Sequence, residues 1–148
     1  MNIKKIALMV AACCLATAVF AEEKTEWLTS VPKAQEMAKK DNKLVLMDFT
    51  GSDWCGWCIK LNKEVFSTPE FKEYAAKSLV LVEVDFPQRK EQSEELKKAN
   101  AGLQKKYKIE GYPTIIVLNG EGKKVGELGY EAGGPKPFIE KLKKLQKS

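Results

Sequence analysis

The chain has 148 residues, a formal net charge of +5 and no histidine. The lack of histidine excludes Ser-His-Asp and Cys-His catalysis and the usual histidine-containing zinc sites. The lysines are spread over several predicted helices and are intermixed with glutamates, which indicates solvated surfaces and argues against nucleic acid as a partner. The length suits one domain with its own hydrophobic core.

The first 21 residues read as a secretory signal peptide. Lys4 and Lys5 precede an apolar run that ends at Ala21, where we predict cleavage. The run is shorter than the ~20 residues that a membrane-spanning helix needs. The mature domain is then residues 22–148, located in the periplasm or secreted. An alternative is a lipoprotein site at Cys13, which would tether the protein to a membrane, although the apolar run continues beyond it.

Helices and apolar strands alternate after this leader. In chain order, the pattern predicts a helix at 32–40, a strand at 43–49, a helix at 59–66, a helix beginning at 67–70, a strand at 79–85, a helix at 91–107, a strand at 115–118, an antiparallel edge strand at 124–130 and a helix at 135–146. The apolar residues of the first strand are continuous and not alternating, which indicates burial on both faces. The strands at 79–85 and 115–118 are likewise expected to be buried.

Asp48 interrupts the first apolar strand. A carboxylate in a strand covered on both faces is costly unless it is neutral or paired. One interpretation is a proton acceptor near a cysteine, Cys58. The other is a structural acid at the strand end that binds a neighbouring backbone N–H, because perturbed carboxylates also occur for structural reasons.

Two cysteines, Cys55 and Cys58, lie between the first strand and the next helix. The thiolate is the reactive form of cysteine, and the free N–H groups and dipole at a helix start favour negative charge. The pKa of Cys55 is therefore expected to be low, and Cys58 is close enough to attack a mixed disulfide at Cys55. Stapling explains such a pair poorly, because the closed loop is too small to constrain the unfolded chain. Two thiolates alone do not complete a tetrahedral zinc site, and we predict no metal and no cofactor.

Two aromatic positions beside the cysteines indicate a contact surface. Trp54 directly precedes Cys55 and is expected to be a half-exposed rim residue. Trp57 lies between the cysteines, where a side chain faces solvent or a partner. An exposed tryptophan is costly without a purpose, so both favour contact with another molecule.

A proline, Pro113, directly precedes the third buried strand. Proline removes a backbone donor there, and a cis bond between Tyr112 and Pro113 would explain the placement. The alternative is an ordinary trans proline in a turn.

The order of elements resembles the thioredoxin fold over roughly residues 27–147. The segments that carry the resemblance are Asp48-Phe49, Trp54-Cys55-Gly56-Trp57-Cys58 and Gly111-Tyr112-Pro113-Thr114. The stretch 49–58 is most similar to secreted bacterial thioredoxin-like proteins of the thioredoxin_7 type. The resemblance implies an α/β fold with a central mixed sheet, in which three buried strands of the parallel type and one antiparallel edge strand are flanked by helices.

The resemblance also implies site residues. Cys55 would be the attacking thiol, Cys58 the buried resolving thiol and Asp48 the buried acid that assists Cys58. The implied substrate-binding residues are Trp54, Gly56, Trp57, Tyr112 and Pro113. Pro113 would be the cis proline that faces the cysteine pair, and Tyr112 would offer backbone hydrogen bonds to an extended substrate segment.

Two departures from the family pattern concern Asp48. One extra residue separates Asp48 from Trp54 compared with plain thioredoxins. The lysine that usually partners the buried acid is missing, and Leu81 or Glu83 occupies that part of the second strand.

The leading hypothesis is a thiol–disulfide oxidoreductase that acts on envelope proteins. A histidine between the cysteines would stabilise the reduced thiolate, and its absence favours a reductase or isomerase over an oxidase. We expect protein disulfides as substrates, a membrane electron donor because the envelope is oxidising, and a monomer. The alternatives are a Cu(I)-binding protein, since two thiolates suit a soft ion, and a non-redox binding module of the same fold.

Overall fold

The computed structural model describes residues 25–147. The predicted signal peptide, its cleavage site at Ala21 and the alternative lipid site at Cys13 lie outside the described residues. In residues 25–147, the elements are β1 Trp27–Leu28, α1 Val31–Asp41, β2 Leu44–Thr50, α2 Gly56–Leu61, a π-helical segment Asn62–Phe66, α3 Pro69–Ser78, β3 Leu79–Asp85, α4 Glu94–Tyr107, β4 Thr114–Leu118, β5 Lys124–Leu128 and α5 Pro135–Gln146. No helix in this part of the chain is long and apolar enough to cross a membrane.

Side-chain caps set where the helices begin. The side chains of Ser30, Thr68 and Ser93 each accept a hydrogen bond from a backbone N–H in the first turn that follows. Pro32 and Pro69 occupy the first turns of α1 and α3, where a missing N–H costs nothing. The Ser93 cap also explains why α4 begins at Glu94, three residues later than the charge pattern predicts.

The strands form one mixed sheet in the order β1-β3-β2-β4-β5. β3 runs parallel to both β1 and β2, and the crossover between β2 and β3 contains α2 and α3. β4 runs antiparallel to β2, and β5 runs antiparallel to β4 as the predicted edge strand. The thioredoxin fold with a central mixed sheet is confirmed.

Two details of the sheet differ from the sequence-based expectation. β4 is a buried strand of continuous apolar residues, but it is not parallel to its neighbour β2. Burial on both faces produces the continuous pattern whatever the strand direction, so the pattern could not fix the direction of β4. The short strand β1 adds a fifth member, and its two residues are too few to show any alternation.

The two faces of the sheet bury separate parts of the core. All seven residues of β2 are buried, and successive side chains of a strand point to opposite faces. Leu44 and Leu46 pack with residues of α2, the π-helical segment, α3 and α5, whereas Val45 and Met47 pack with residues of α1. Asp48 and Thr50 continue the face of Leu46, which is the face covered by α2. This arrangement directs the Asp48 carboxyl toward the cysteine-bearing helix.

Candidate active site

The two cysteines are joined by a disulfide at the start of α2. Cys55 is the extended residue before the helix, and its Sγ accepts a hydrogen bond from the backbone N–H of Cys58 at 3.3 Å. The backbone N–H of Cys55 donates to the carbonyl of Gly51 at 2.8 Å, which fixes the turn that leads out of β2. The predicted strand-to-helix junction is confirmed. Cys55 is 7% exposed and Cys58 is 4% exposed, so both cysteines are largely buried.

Asp48 lies in the same cleft as Cys58, which has a volume of about 320 Å³. The side chain is 8% exposed. Among the described residues no group donates a hydrogen bond to its Oδ1 atom. Burial, together with the negative charges of Glu83 and Asp85, raises the pKa of Asp48 to about 8. Oδ1 is thus not held by a backbone N–H of the described residues, and a pKa near neutrality suits a group that exchanges protons.

Glu83 occupies the position opposite Asp48. The parallel register between β2 and β3 pairs Asp48 with Glu83 and Thr50 with Asp85. Burial, followed by the charge of Asp85, raises the pKa of Glu83, while Lys90 lowers it. Where plain thioredoxins carry a lysine beside the buried acid, this chain therefore carries a second carboxyl group.

Trp54 is held on the rim by the loop that follows β3. Its indole Nε1–H donates to the carbonyl of Phe86 at 2.7 Å, and the side chain is 38% exposed, as expected for a rim residue. The Trp54 ring meets the ring of Tyr112 edge-on, with the centroids 5.9 Å apart. Tyr112 in turn stacks on Phe86 at 5.2 Å. The rim is therefore one aromatic cluster assembled from three segments of the chain.

Tyr112 precedes Pro113, and the peptide bond between them is cis, which is one of the two alternatives that the sequence left open and the one that the resemblance implies. The hydroxyl of Tyr112 accepts a hydrogen bond from Nε2 of Gln104 in α4 at 2.7 Å. Thr114, the next residue, pairs with Phe49 at the end of β2. This pairing brings the proline loop to the same end of the sheet as the loop that carries the cysteines.

Trp57 is the most exposed aromatic residue of the site, at 58%. Its ring lies 5.0 Å from that of Tyr130, and the Lys60 ammonium lies 5.2 Å from both ring centroids. Tyr130 donates a hydrogen bond from its hydroxyl to Glu64 at 2.8 Å. Tyr130 has no place among the predicted site residues, because it follows the edge strand and only the folded chain brings it to Trp57.

Asp53 is a second residue that sequence reasoning missed. Its carboxylate accepts hydrogen bonds from the backbone N–H groups of Gln88, Arg89 and Lys90 at 2.7–2.9 Å. These bonds, the one from Gln88 foremost, lower the pKa of Asp53. The carboxylate thus holds the loop at 86–90, whose Phe86 carbonyl binds Trp54. A contact across thirty-five positions of the chain leaves no periodic signal in the sequence.

Within residues 25–147, no group of three or more histidine, cysteine or acidic side chains could hold a metal ion.

Comparisons with known proteins agree with this geometry. The family model described as a thioredoxin-like domain matches residues 31–146. The disulfide bond reductase DsbH of Chlamydia pneumoniae is 41% identical over 118 residues, which cover 80% of this chain and 71% of that protein. The thioredoxin-related protein DsbJ of the same organism is 34% identical over 110 residues, 72% of this chain but only 32% of DsbJ.

A solved structure of a DsbH oxidoreductase superposes on this chain with a TM-score of 0.77. The two are 39% identical, and the match covers 82% of this chain and 84% of the other. The family model spans most of the chain, and the disulfide occupies the expected helix start in the expected fold. The chain therefore belongs to the thioredoxin-like family.

Proposed function

We propose that this thiol–disulfide oxidoreductase works as a reductase of disulfide bonds in envelope proteins. The observation that carries the proposal is the Cys55–Cys58 disulfide at a helix start, in one cleft with the buried carboxyl of Asp48. The name of its relative DsbH, a disulfide bond reductase, supports the direction of electron flow. The residues between the cysteines, Gly56 and Trp57, include no histidine that would stabilise the reduced thiolate and so favour oxidation of substrates.

The first step is attack by the Cys55 thiolate on a substrate disulfide. A bond forms between Cys55 and one substrate sulfur, the substrate disulfide breaks, and the second substrate sulfur leaves as a thiolate that takes a proton. The helix start favours the thiolate form of Cys55, because the backbone N–H of Cys58 donates to its sulfur. The product of this step is a mixed disulfide.

The second step releases the substrate. Cys58 gives its proton to the carboxylate of Asp48, and its sulfur attacks the sulfur of Cys55. The Cys55–Cys58 bond forms, the mixed disulfide breaks, and the remaining substrate sulfur leaves with the electron pair. Two electrons have then passed from the cysteine pair to the substrate. The pKa of about 8 allows Asp48 to accept and lose a proton near neutral pH.

The substrate-binding surface consists of Trp54, Gly56, Trp57, Tyr112 and Pro113. A Cβ atom added to Gly56 would have no atom within 4 Å, so a substrate chain can approach the disulfide closely there. Trp57 offers exposed apolar area that is already oriented by Tyr130. Pre-oriented aromatic side chains bind at a low entropic cost, which suits extended segments of varied sequence.

The proposed location follows from the leader and from the chemistry. Residues 1–21 act as a signal peptide in this proposal, and the mature monomer works in the periplasm or outside the cell. The envelope is kept oxidising, so the oxidised pair must be reduced again by a membrane electron donor. The mass of the mature protein tests the cleavage site after Ala21.

The test of the function is mechanism-based trapping. A Cys58→Ser variant retains the attacking sulfur but cannot carry out the second step, so it should accumulate mixed disulfides with envelope proteins through Cys55. The matched control is Cys55→Ser, which keeps one cysteine in the cleft but lacks the attacking sulfur. Adducts in the first variant alone, reversed by dithiothreitol, are the expected result. Equal adducts in both variants, or none in either, would contradict the proposal.

A further inference from the structure

The second carboxyl group beside the disulfide has no role in the mechanism above. Glu83 pairs with Asp48 across the parallel strands β2 and β3, and directly paired residues point to the same face of a sheet. Both side chains line the cleft that contains Cys58. Oδ1 of Asp48 has no hydrogen-bond partner among the described residues, and Glu83 is the carboxyl group that the strand register places opposite it.

Glu83 also lines a second cleft, of about 270 Å³, on the side of α4. Asp48 and Cys58 line the first cleft but not the second. Glu83 is partly exposed, whereas Asp48 is buried. The carboxyl of Glu83 thus lies between the buried acid and a space whose rim carries the exposed residues Lys90 and Glu91.

From this geometry we propose that Glu83 carries the proton between Asp48 and solvent. The inference rests on the proposed function, in which Asp48 takes a proton from Cys58 in each cycle. The proton passes from the Asp48 carboxylic acid to the Glu83 carboxylate, directly or through a water molecule, and then to water in the second cleft. Asp48 returns to the carboxylate form, and no electrons move in this transfer. Glu83 does not act on the reacting sulfurs directly. It acts through Asp48, by removing the proton that Asp48 has taken from Cys58.

Other charged groups around Glu83 fit this role. Asp85, two positions along β3, accepts hydrogen bonds from the backbone and side chain of Ser52. Lys90 binds the Ser52 hydroxyl through its Nζ at 2.9 Å and lowers the pKa of Glu83. The remaining lining residues of both clefts are uncharged, apart from Glu91 on the rim of the second. Lys90 therefore opposes the effect of Asp85 on Glu83, although burial keeps the pKa of Glu83 raised.

The test combines a titration with a single-turnover rate. Glu83→Gln keeps the shape of the side chain but can neither carry charge nor exchange a proton. We expect the titration midpoint of the Asp48 carboxyl, followed by ¹³C NMR, to fall by at least about half a pH unit, because a like charge is removed. We expect decay of a preformed Cys55 mixed disulfide to slow about tenfold near neutral pH and to recover when formate is added as a mobile proton carrier.

The matched control is Glu91→Gln, which removes a carboxylate from the rim of the second cleft but leaves Glu83 in place. It should change neither readout. Glu83→Asp keeps the charge and should retain most of the rate, and it serves as the second variant if Glu83→Gln does not fold. Unchanged decay and midpoint in Glu83→Gln would overturn the role of Glu83. If Asp48→Asn also decays at the wild-type rate, the proposed release step itself is wrong, which separates the two failures.

Discussion

Two aspartates five positions apart, Asp48 and Asp53, have opposite environments. Asp48 is buried at the end of β2, with one oxygen unpartnered among the described residues, and its pKa is raised. Asp53 is partly exposed in the next loop, where three backbone N–H groups lower its pKa. One aspartate thus has a carboxyl suited to proton exchange, and the other has a carboxylate that stays charged and holds a loop.

The difference shows that a single turn separates a carboxyl group suited to proton exchange from one that holds a loop. The chain leaves the buried face of the sheet at Thr50 and reaches the rim by Asp53. A buried carboxyl without donors favours the protonated form, whereas a carboxylate that accepts several N–H bonds favours the charged form. The residue type is the same, and the hydrogen bonds that the fold supplies decide what each can do.

The largest expected effect is on the pH dependence of stability through Asp48. Its folded-state pKa of about 8 exceeds the ordinary value of 3.8, so the folded state holds the extra proton between these values. The free energy of unfolding of the oxidised protein should therefore fall as pH rises through this window, and Glu83 acts in the same direction. Asp48→Asn should remove a loss on the order of 4 kcal/mol between pH ~5 and pH ~8. Denaturant titrations at a series of pH values measure it.

Asp53 provides a control because its pKa is shifted in the opposite direction. Its folded-state pKa is lowered, so its contribution to stability is present above the unfolded pKa and is lost as pH falls through the folded pKa. Asp53→Asn should therefore leave the pH dependence of the free energy of unfolding unchanged between pH ~5 and pH ~8 and alter it only at lower pH. An Asp48→Asn variant that keeps the wild-type slope above pH ~5 would show that Asp48 does not titrate there.

The next effect concerns the contact between Gly51 and Trp54. A Cβ atom at Gly51 would overlap the indole ring of Trp54, so Gly51→Ala must displace that ring from the Phe86 carbonyl. Overpacking of this kind costs about 1–3 kcal/mol. We expect a lower unfolding midpoint, together with faster hydrogen exchange at the Trp54 Nε1–H. Gly56→Ala is the matched control, because the same added methyl group meets open space. Equal stability of the two variants would contradict the close contact between Gly51 and the Trp54 ring.

The sequence was sufficient for features that depend on local pattern. The continuous apolar run of β2, the cysteines at the start of α2 and the half-exposed Trp54 all have the predicted form. The cis bond at Pro113 is one of the two alternatives that the sequence left open. Each follows from residue types that are close together in the chain. The resemblance to the thioredoxin fold then supplied the order of the elements.

Features that depend on pairing between distant segments could not be predicted in the same way. The sequence left Leu81 and Glu83 as equal candidates for the position opposite Asp48, and only the register of β2 with β3 selects Glu83. The direction of β4 and the contact of Tyr130 with Trp57 are likewise properties of the assembled sheet. Asp53 accepts its hydrogen bonds from backbone N–H groups, which every residue except proline has, so no residue type in the sequence indicates them.

The smallest expected effect is on substrate binding through Asp53. Asp53→Ala frees the N–H groups at 88–90, loosens the Phe86 carbonyl and thereby releases the Trp54 side chain from the rim. We expect KM for a protein disulfide substrate to rise about three- to tenfold with kcat unchanged, since only the contact surface is disturbed. Asp41→Ala, which removes an exposed carboxylate at the end of α1, is the control. A fall in kcat at constant KM would mean that the rim acts on the cysteines themselves, and the separation between Asp48 and Asp53 would not hold.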